Sequence, residues 1–273
     1  MPVHFITTGR GGIVQTEVMG IPTYYEQYGE KGSPLLVLHG WGSDVAAMMP
    51  VIQRLKKYHR VTAVDFPAHG GTGMISGDWT VPDFAKWTES FIRQQNLEGC
   101  HVLAHSFGGR VALYLAANTP SLFKRVILTG SAGLVKEKNA ADRRRAAKYR
   151  LGRAGLSFLS HLPVIKDRAK GWLQAYRDKH NSADYKALPE QMRATFNNII
   201  KFDSRKFLPR VKNPTLLLWG QQDTETPLWM AETFRAGIAG SRLSIMPGGH
   251  FAFLSYPDVF CDYVLDFLEE EHP

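Results

Sequence analysis

Cysteine is nearly absent: Cys100 and Cys261 are the only two in 273 residues. So small a set cannot staple a disulfide scaffold, and it reads as two buried free thiols, compatible with a cytoplasmic location. No apolar run approaches the roughly 20 residues that a membrane span requires, so no transmembrane segment is expected. The opening MPVHFITTGRGG has no basic segment followed by an apolar core, so no signal peptide is expected. Internal repeats and low-complexity tracts are lacking too. There is no His-x-x-x-His pair on an expected helix and no cysteine pair, which argues against a metal site. Neither G-x-x-x-x-G-K-[ST] nor G-x-G-x-x-G follows an expected strand, which argues against a phosphate cradle. No metal and no cofactor are expected.

Acidic residues are scarce in one stretch only. Between Leu134 and Lys212 there are 20 Lys+Arg against 7 Asp+Glu, whereas the remainder has 13 against 18, for a net charge of +8. No helix-turn-helix, zinc pattern or aromatic RNA-binding motif accompanies this basic block, so nucleic acid is not expected as a partner. A solvated helical face is one reading of it. Attraction of an anionic substrate or an acidic membrane surface is the other.

What is present suits a packed chain: 44% hydrophobic and 21% charged residues are ordinary for a globular protein. IVQTEV and PTYYEQY, between Ile13 and Tyr28, alternate apolar and polar residues around Met19-Gly20, which predicts an antiparallel hairpin. Continuous apolar strands are expected at Pro34–Leu38, Val61–Asp65, leading into Ser106, Arg125–Thr129, Pro214–Trp219 and Arg242–Met246. Segments of helical periodicity separate them, the first capped by Ser43 or Asp44. This alternation predicts a mostly parallel sheet with helices on both faces. It stops between about Leu134 and Phe207, where arginine-rich, helix-like segments predict an inserted helical cap, leaving core segments 1–133 and 208–273 around a cap of 134–207. The cap aromatics Phe158, Trp172, Tyr176 and Phe196 either dock the cap or line a pocket.

The chain is organised around Ala104-His105-Ser106-Phe107-Gly108-Gly109. A buried strand runs into it and a helix runs out, so the chain must turn sharply at Ser106. Ala104 and Gly108, two residues to either side, are small enough to allow that turn. Such a turn lifts a serine hydroxyl out of the sheet beside a helix N-terminus, the geometry of a nucleophile elbow. Alone, the hexapeptide reads equally as a serine that caps a helix. A serine nucleophile needs a base, and the base needs a carboxylate to orient it. Both follow downstream at predicted strand ends: Asp223 after PTLLLWGQQ and His250 after LSIMPGG. Glu225 lies two residues beyond Asp223, and carboxylates near strand ends often cap helices; position within the motif favours Asp223.

In this order the motifs resemble those of α/β-hydrolase-fold proteins over nearly the whole chain. His39-Gly40-Trp41-Gly42 resembles the family's oxyanion region, Asp65-Phe66-Pro67-Ala68-His69-Gly70 the loop after its next strand, Asp223 in WGQQD its acid and His250 in GGH its base. Ala104 and Ala68 stand where the family usually has glycine. The resemblance implies an eight-stranded, mostly parallel sheet and the roles of Ser106 as nucleophile, His250 as base and Asp223 as its orienting acid. It also implies an oxyanion hole from the backbone N–H groups of Trp41 and Phe107. His39, Gly40 and His105 are expected around the substrate, with His39 under the oxyanion loop, His105 beneath the elbow and His69 at the rim. The implied activity is hydrolysis of a carboxylic ester or related small-molecule acyl compound through an acyl-enzyme. Carbon–carbon bond hydrolysis of ring-fission products, cofactor-free perhydrolysis and a triad-bearing receptor are the alternatives. Serine at position 106 sets the chain apart from the dehalogenase and epoxide hydrolase branches, which carry aspartate there.

Overall fold

Alternate residues of a strand face opposite sides of a sheet, and here both sides are apolar. In the computed structural model, which describes residues 12–136, 140–159, 168, 171–172 and 188–270, the strands are β1 (Gly12–Val18), β2 (Ile21–Tyr28), β3 (Pro34–Leu38), β4 (Arg60–Val64), β5 (Cys100–His105), β6 (Phe123–Thr129), β7 (Thr215–Gly220) and β8 (Arg242–Met246). Leu36, Leu38, Val102, Ala104, Leu128, Leu217 and Trp219 join a core on one face. Leu35, Val37, Leu103, Ile127, Leu216 and Leu218 join a second core on the other. Continuous apolar runs are what burial on both faces demands.

The eight strands form one sheet in the order β1-β2-β4-β3-β5-β6-β7-β8. β1 and β2 form the antiparallel hairpin, β2 pairs antiparallel with β4, and every later pairing is parallel. The chain therefore leaves β3 in one direction along the sheet and β5 in the other. The crevice beyond the carboxyl ends of β3 and β5 is a topological switch point, where ligands bind in open α/β sheets. Helix α1 (Val45–Leu55) contributes Val45, Met48, Val51, Ile52 and Leu55 to the second core, spacing that keeps one face inward. Asp44 caps it, its side chain accepting from Ala47 N at 3.2 Å. α2 (Val81–Gln94), opened by a Thr80/Asp83 capping box, and α3 (Phe107–Asn118) serve the first core. Cys100 and Cys261 are buried free thiols.

The chain divides into two compact units, Met1–Leu134 with Asn198–Pro273, and Val135–Asn197. Residues 198–207, assigned from the sequence to the insert, belong with the sheet unit. The buried Arg110 of α3 explains this: its guanidinium donates to Phe202 O at 2.9 Å and to Ile199 O, placing a cation at the C-terminal end of α5 (Arg193–Lys201). Phe202 and Phe207 stack at 5.7 Å, and Tyr114 meets Phe207 edge-on at 5.1 Å. Within Val135–Asn197, α4 (Ala140–Leu159) is the long element, and no strand occurs among the described residues. Phe158 and Trp172 are exposed, which removes them from any core; Tyr176 lies outside the described residues. No described helix is long and apolar enough to cross a membrane.

Candidate active site

Ser106 sits between β5 and α3 with φ +50° and ψ −110°, and its side chain makes no cap hydrogen bond to the helix. A non-glycine residue held in that region is strained and persists only where its surroundings dictate it. Here they do. Ser106 N donates to Thr129 O at 3.1 Å, and Ser106 O accepts from Arg110 N at 3.2 Å and Ala132 N at 3.0 Å. The glycine at 108 is obligatory: a Cβ there would lie 2.7 Å from the carbonyl oxygens of Leu38 and His39. The helix thus presses directly on the end of β3.

The two expected oxyanion donors are oriented by their own peptide units. In a trans peptide the N–H points opposite to the preceding C=O. Gly40 O is drawn to His39 Nδ1 (2.7 Å) and Ser43 N (3.3 Å), which turns the Trp41 N–H the other way. Ser106 O is engaged by Arg110 and Ala132, which turns the Phe107 N–H out at the first position of α3, where an amide has no intrahelical acceptor. The Trp41 and Phe107 rings meet edge-to-face at 5.4 Å, fixing the two segments against each other. A Cβ on Gly40 would lie 3.4 Å from Ser106 Cβ, so the loop passes directly beside the serine.

His250 follows β8 and Asp223 follows β7, and their loops are tied together. Gln221 N donates to Met246 O (2.8 Å), Gln222 N to Gly248 O (2.9 Å), and Gly248 N to Gln222 Oε1 (2.8 Å). Asp223 Oδ2 lies 2.9 Å from His250 Nδ1. A carboxylate only accepts, so Nδ1 carries a proton, and in the neutral ring the lone pair is then on Nε2. Asp223 also accepts from Glu225 N (2.9 Å), Thr226 N (2.8 Å) and Thr226 Oγ1 (2.7 Å). Burial alone would push its carboxyl up, but the hydrogen bonds from His250 and Thr226 outweigh it and hold Asp223 below the usual carboxylate range. Glu225 Oε2 lies on the opposite side of the ring, 3.6 Å from Nε2, on a side chain 63% exposed.

One glycine marks where these parts converge. A Cβ on Gly130, just beyond β6 at φ +48°, would lie 3.2 Å from both Asp223 Oδ2 and His250 Nδ1. From the elbow, His105 Nε2 donates to His250 O at 3.0 Å, and the two rings lie 4.7 Å apart. The fold thus gathers Ser106, His250, Asp223, Gly40, Trp41 and Phe107 at the carboxyl end of the sheet.

His39, in the oxyanion loop, and His105, in the elbow, were expected around the substrate, and both direct ring nitrogens at protein partners. Both are buried, and burial lowers each pKa to about 3, so both are neutral. His39 is occupied on both nitrogens, Nδ1 by Gly40 O and Nε2 by Phe66 N at 2.9 Å. Its approach of 3.9 Å to Asp65 is therefore not an ion pair. Asp65 instead ties its loop to α1, accepting from Val45 N and Gly71 N at 2.7 Å each. His69 is buried against Trp41 at 4.7 Å and is not at a rim. Sequence reasoning missed Thr226, whose hydroxyl holds Asp223 and lies 3.2 Å from His250 Nδ1. Its only signal was the D-x-x-T spacing of a side-chain-stabilised turn. No group of three or more His, Cys, Asp and Glu among the described residues is arranged to hold a metal.

Comparison with known proteins agrees with this architecture. Residues 35–263 match the sequence profile described as the alpha/beta hydrolase family. A 2-hydroxy-6-oxo-6-(2'-aminophenyl)hexa-2,4-dienoic acid hydrolase of Metapseudomonas resinovorans is 28% identical, over 91% of this chain and 88% of its own. A pimeloyl-[acyl-carrier protein] methyl ester esterase of Neisseria meningitidis is also 28% identical, over 85% of this chain and 92% of its own. The crystal structure of a hydrolase from Pseudomonas aeruginosa superposes with a TM-score of 0.72 at 22% identity, covering 97% of this chain and 100% of that one.

Proposed function

The chain belongs to the alpha/beta hydrolase family, and from that premise we propose that it is a serine hydrolase that cleaves a carboxylic ester or related acyl bond through an acyl-enzyme. The observation that carries this reading is the placement of Asp223 on His250 Nδ1, at 2.9 Å. It selects the tautomer whose neutral ring has its lone pair on Nε2, at the end of the sheet that also bears the strained Ser106.

Ser106 Oγ bonds to the acyl carbon while its proton passes to His250 Nε2. The carbonyl oxygen becomes an oxyanion received by the Trp41 and Phe107 amides, each such donor contributing about 3 kcal/mol to lowering the barrier. The alcohol departs with the proton held on Nε2. Water then attacks the acyl-enzyme, His250 takes its proton, and collapse releases the acid and returns the proton to Ser106. Asp223 stabilises the imidazolium throughout and is not itself protonated. Thr226 keeps the carboxylate in place. No step calls on a cofactor.

Ser106→Ala is expected to abolish turnover of a short-chain nitrophenyl ester with an unchanged circular dichroism spectrum. Full turnover by that variant would end the proposal. One relative named for dienoic acid hydrolysis and one named for methyl ester hydrolysis are equally similar, so carbon–carbon hydrolysis is the second reading. Parallel assays of a methyl ester and a ring-fission dienoate separate the two: faster hydrolysis of the dienoate reverses the order. Repeated turnover, as against one slow turnover with product retained, distinguishes an enzyme from a receptor.

A further inference from the structure

The described part of α4 is an exposed basic helix that also exposes large apolar side chains. Arg144, Arg145, Lys148, Arg150 and Arg153 all face solvent. So do Leu151, 77% exposed, and Phe158, 70% exposed. At about 100° per residue, positions seven apart return to within about 20° of one direction, so these two side chains stand in a single line. The exposed Ala140 and Arg144 fall on or near the same line, Ala154 lies about 50° from it, and Lys148 and Arg150 flank it at about 80° to either side. The half-buried Tyr149, Gly152, Leu156 and Leu159 cluster on a different face. The outward apolar line is therefore additional to the face the helix uses for packing. Val135–Asn197 carries 15 Lys+Arg against 6 Asp+Glu, a balance of +9, while the rest of the chain has 18 against 19, or −1.

From these features we infer that the outer face of α4 docks on an anionic lipid surface, with Leu151 and Phe158 entering the boundary between headgroups and acyl chains while the flanking cations meet the headgroups. Basic residues beside exposed Leu and Phe on one helix are the composition of an in-plane membrane helix. Arg144, Lys148 and Arg150 lie within about 90° of the apolar line, so an extended anionic sheet meets all three together with Leu151 and Phe158. The inference rests on this surface and is independent of the reaction assigned to Ser106.

The test is co-sedimentation of the full chain with vesicles of phosphatidylcholine alone and of equal parts phosphatidylglycerol and phosphatidylcholine, at low and physiological salt. Binding is expected only to the anionic vesicles and weakens with salt. Leu151→Ser combined with Phe158→Ser is expected to lower partitioning at least about tenfold. Arg144→Gln, Lys148→Gln and Arg150→Gln together are expected to lower it on the order of a hundredfold, or about fivefold for each cation. All these residues are exposed, so each variant keeps its circular dichroism spectrum and its rate on a water-soluble nitrophenyl ester. Three results overturn the inference. One is no sedimentation with anionic vesicles at low salt, and another is equal binding to both vesicle types. The third is wild-type binding by the serine double variant while the glutamine triple variant loses it, which would make α4 an electrostatic attractor of soluble anions or acidic proteins only.

Discussion

Two carboxylates approach opposite nitrogens of His250, and only one can set its tautomer. Asp223 is wholly buried on Nδ1, whereas Glu225 is largely in solvent, near Nε2. Asp223→Asn keeps the shape but removes the acceptor that fixes the proton on Nδ1. The expected loss in kcat is roughly a thousandfold or more. Glu225→Gln removes an exposed, screened charge, so a change below about threefold in kcat/KM is expected at physiological salt. Steady-state rates of both variants on one ester are the check, and the reverse ranking would hand the orienting role to Glu225. Position within the WGQQD motif, rather than the strand end alone, favoured Asp223 over Glu225 in the sequence. Thr226 was not legible, because a threonine three residues past an aspartate looks the same in any turn. The places of His39 and His105 under the oxyanion loop and the elbow were legible, but the partners of their ring nitrogens were not, because those come from loops distant in sequence.

Among the elements, the inner strands were legible as continuous apolar runs, because both of their faces fill a core, and the sheet helices by a clean period of 3.6. α4 was legible only as helix-like, since its half-buried face is short and a second, exposed line of apolar residues and cations shares its surface. The loop after β4 held a different surprise. Ala68, where related loops were expected to have glycine, adopts φ +65°, a left-handed conformation that costs a residue with a Cβ roughly 1–2 kcal/mol. The extra freedom of glycine in the unfolded chain takes back part of that. Ala68→Gly should therefore stabilise the protein by about 0.5–1 kcal/mol and raise the melting midpoint by about 2 °C. A lowered midpoint would show that the alanine methyl contributes packing that outweighs its backbone strain. The neighbouring Gly70 has no such freedom, since a Cβ there would lie 2.0 Å from Asp65 Oδ2.

Over the whole molecule, burial holds several histidines neutral. It lowers the pKa of His39 and His105 to about 3 and of His101 to about 4, the last helped by His59, Lys124 and Arg125; His59 and His69 are lowered too. The unfolded chain protonates these groups below about pH 6.5 while the folded chain does not. Stability is thus full above that pH and falls as pH drops toward the folded values. For His39, His101 and His105 together the loss between pH 7 and 5.5 is on the order of 4 kcal/mol, a large share of the about 5–15 kcal/mol typical of a fold. Urea midpoints at the two pH values measure it. Among the described residues His101 Nδ1 has no hydrogen-bond partner, and His101 lies on β5 at the strand end opposite Ser106. His101→Leu should therefore flatten the pH dependence without altering kcat. An unchanged slope would remove His101 from the account.

The insert enters between β6 and β7, whose parallel pairing of Val126 to Thr215 through Thr129 to Leu218 rejoins the sheet across it. Everything assigned to nucleophile and oxyanion precedes the insert, and the assigned acid and base follow it. Cut within the insert, the chain becomes two polypeptides, neither of which holds a complete set of reacting groups. Hydrolysis by the pair would then report that β6 and β7 have found each other, making the protein a candidate two-fragment complementation reporter.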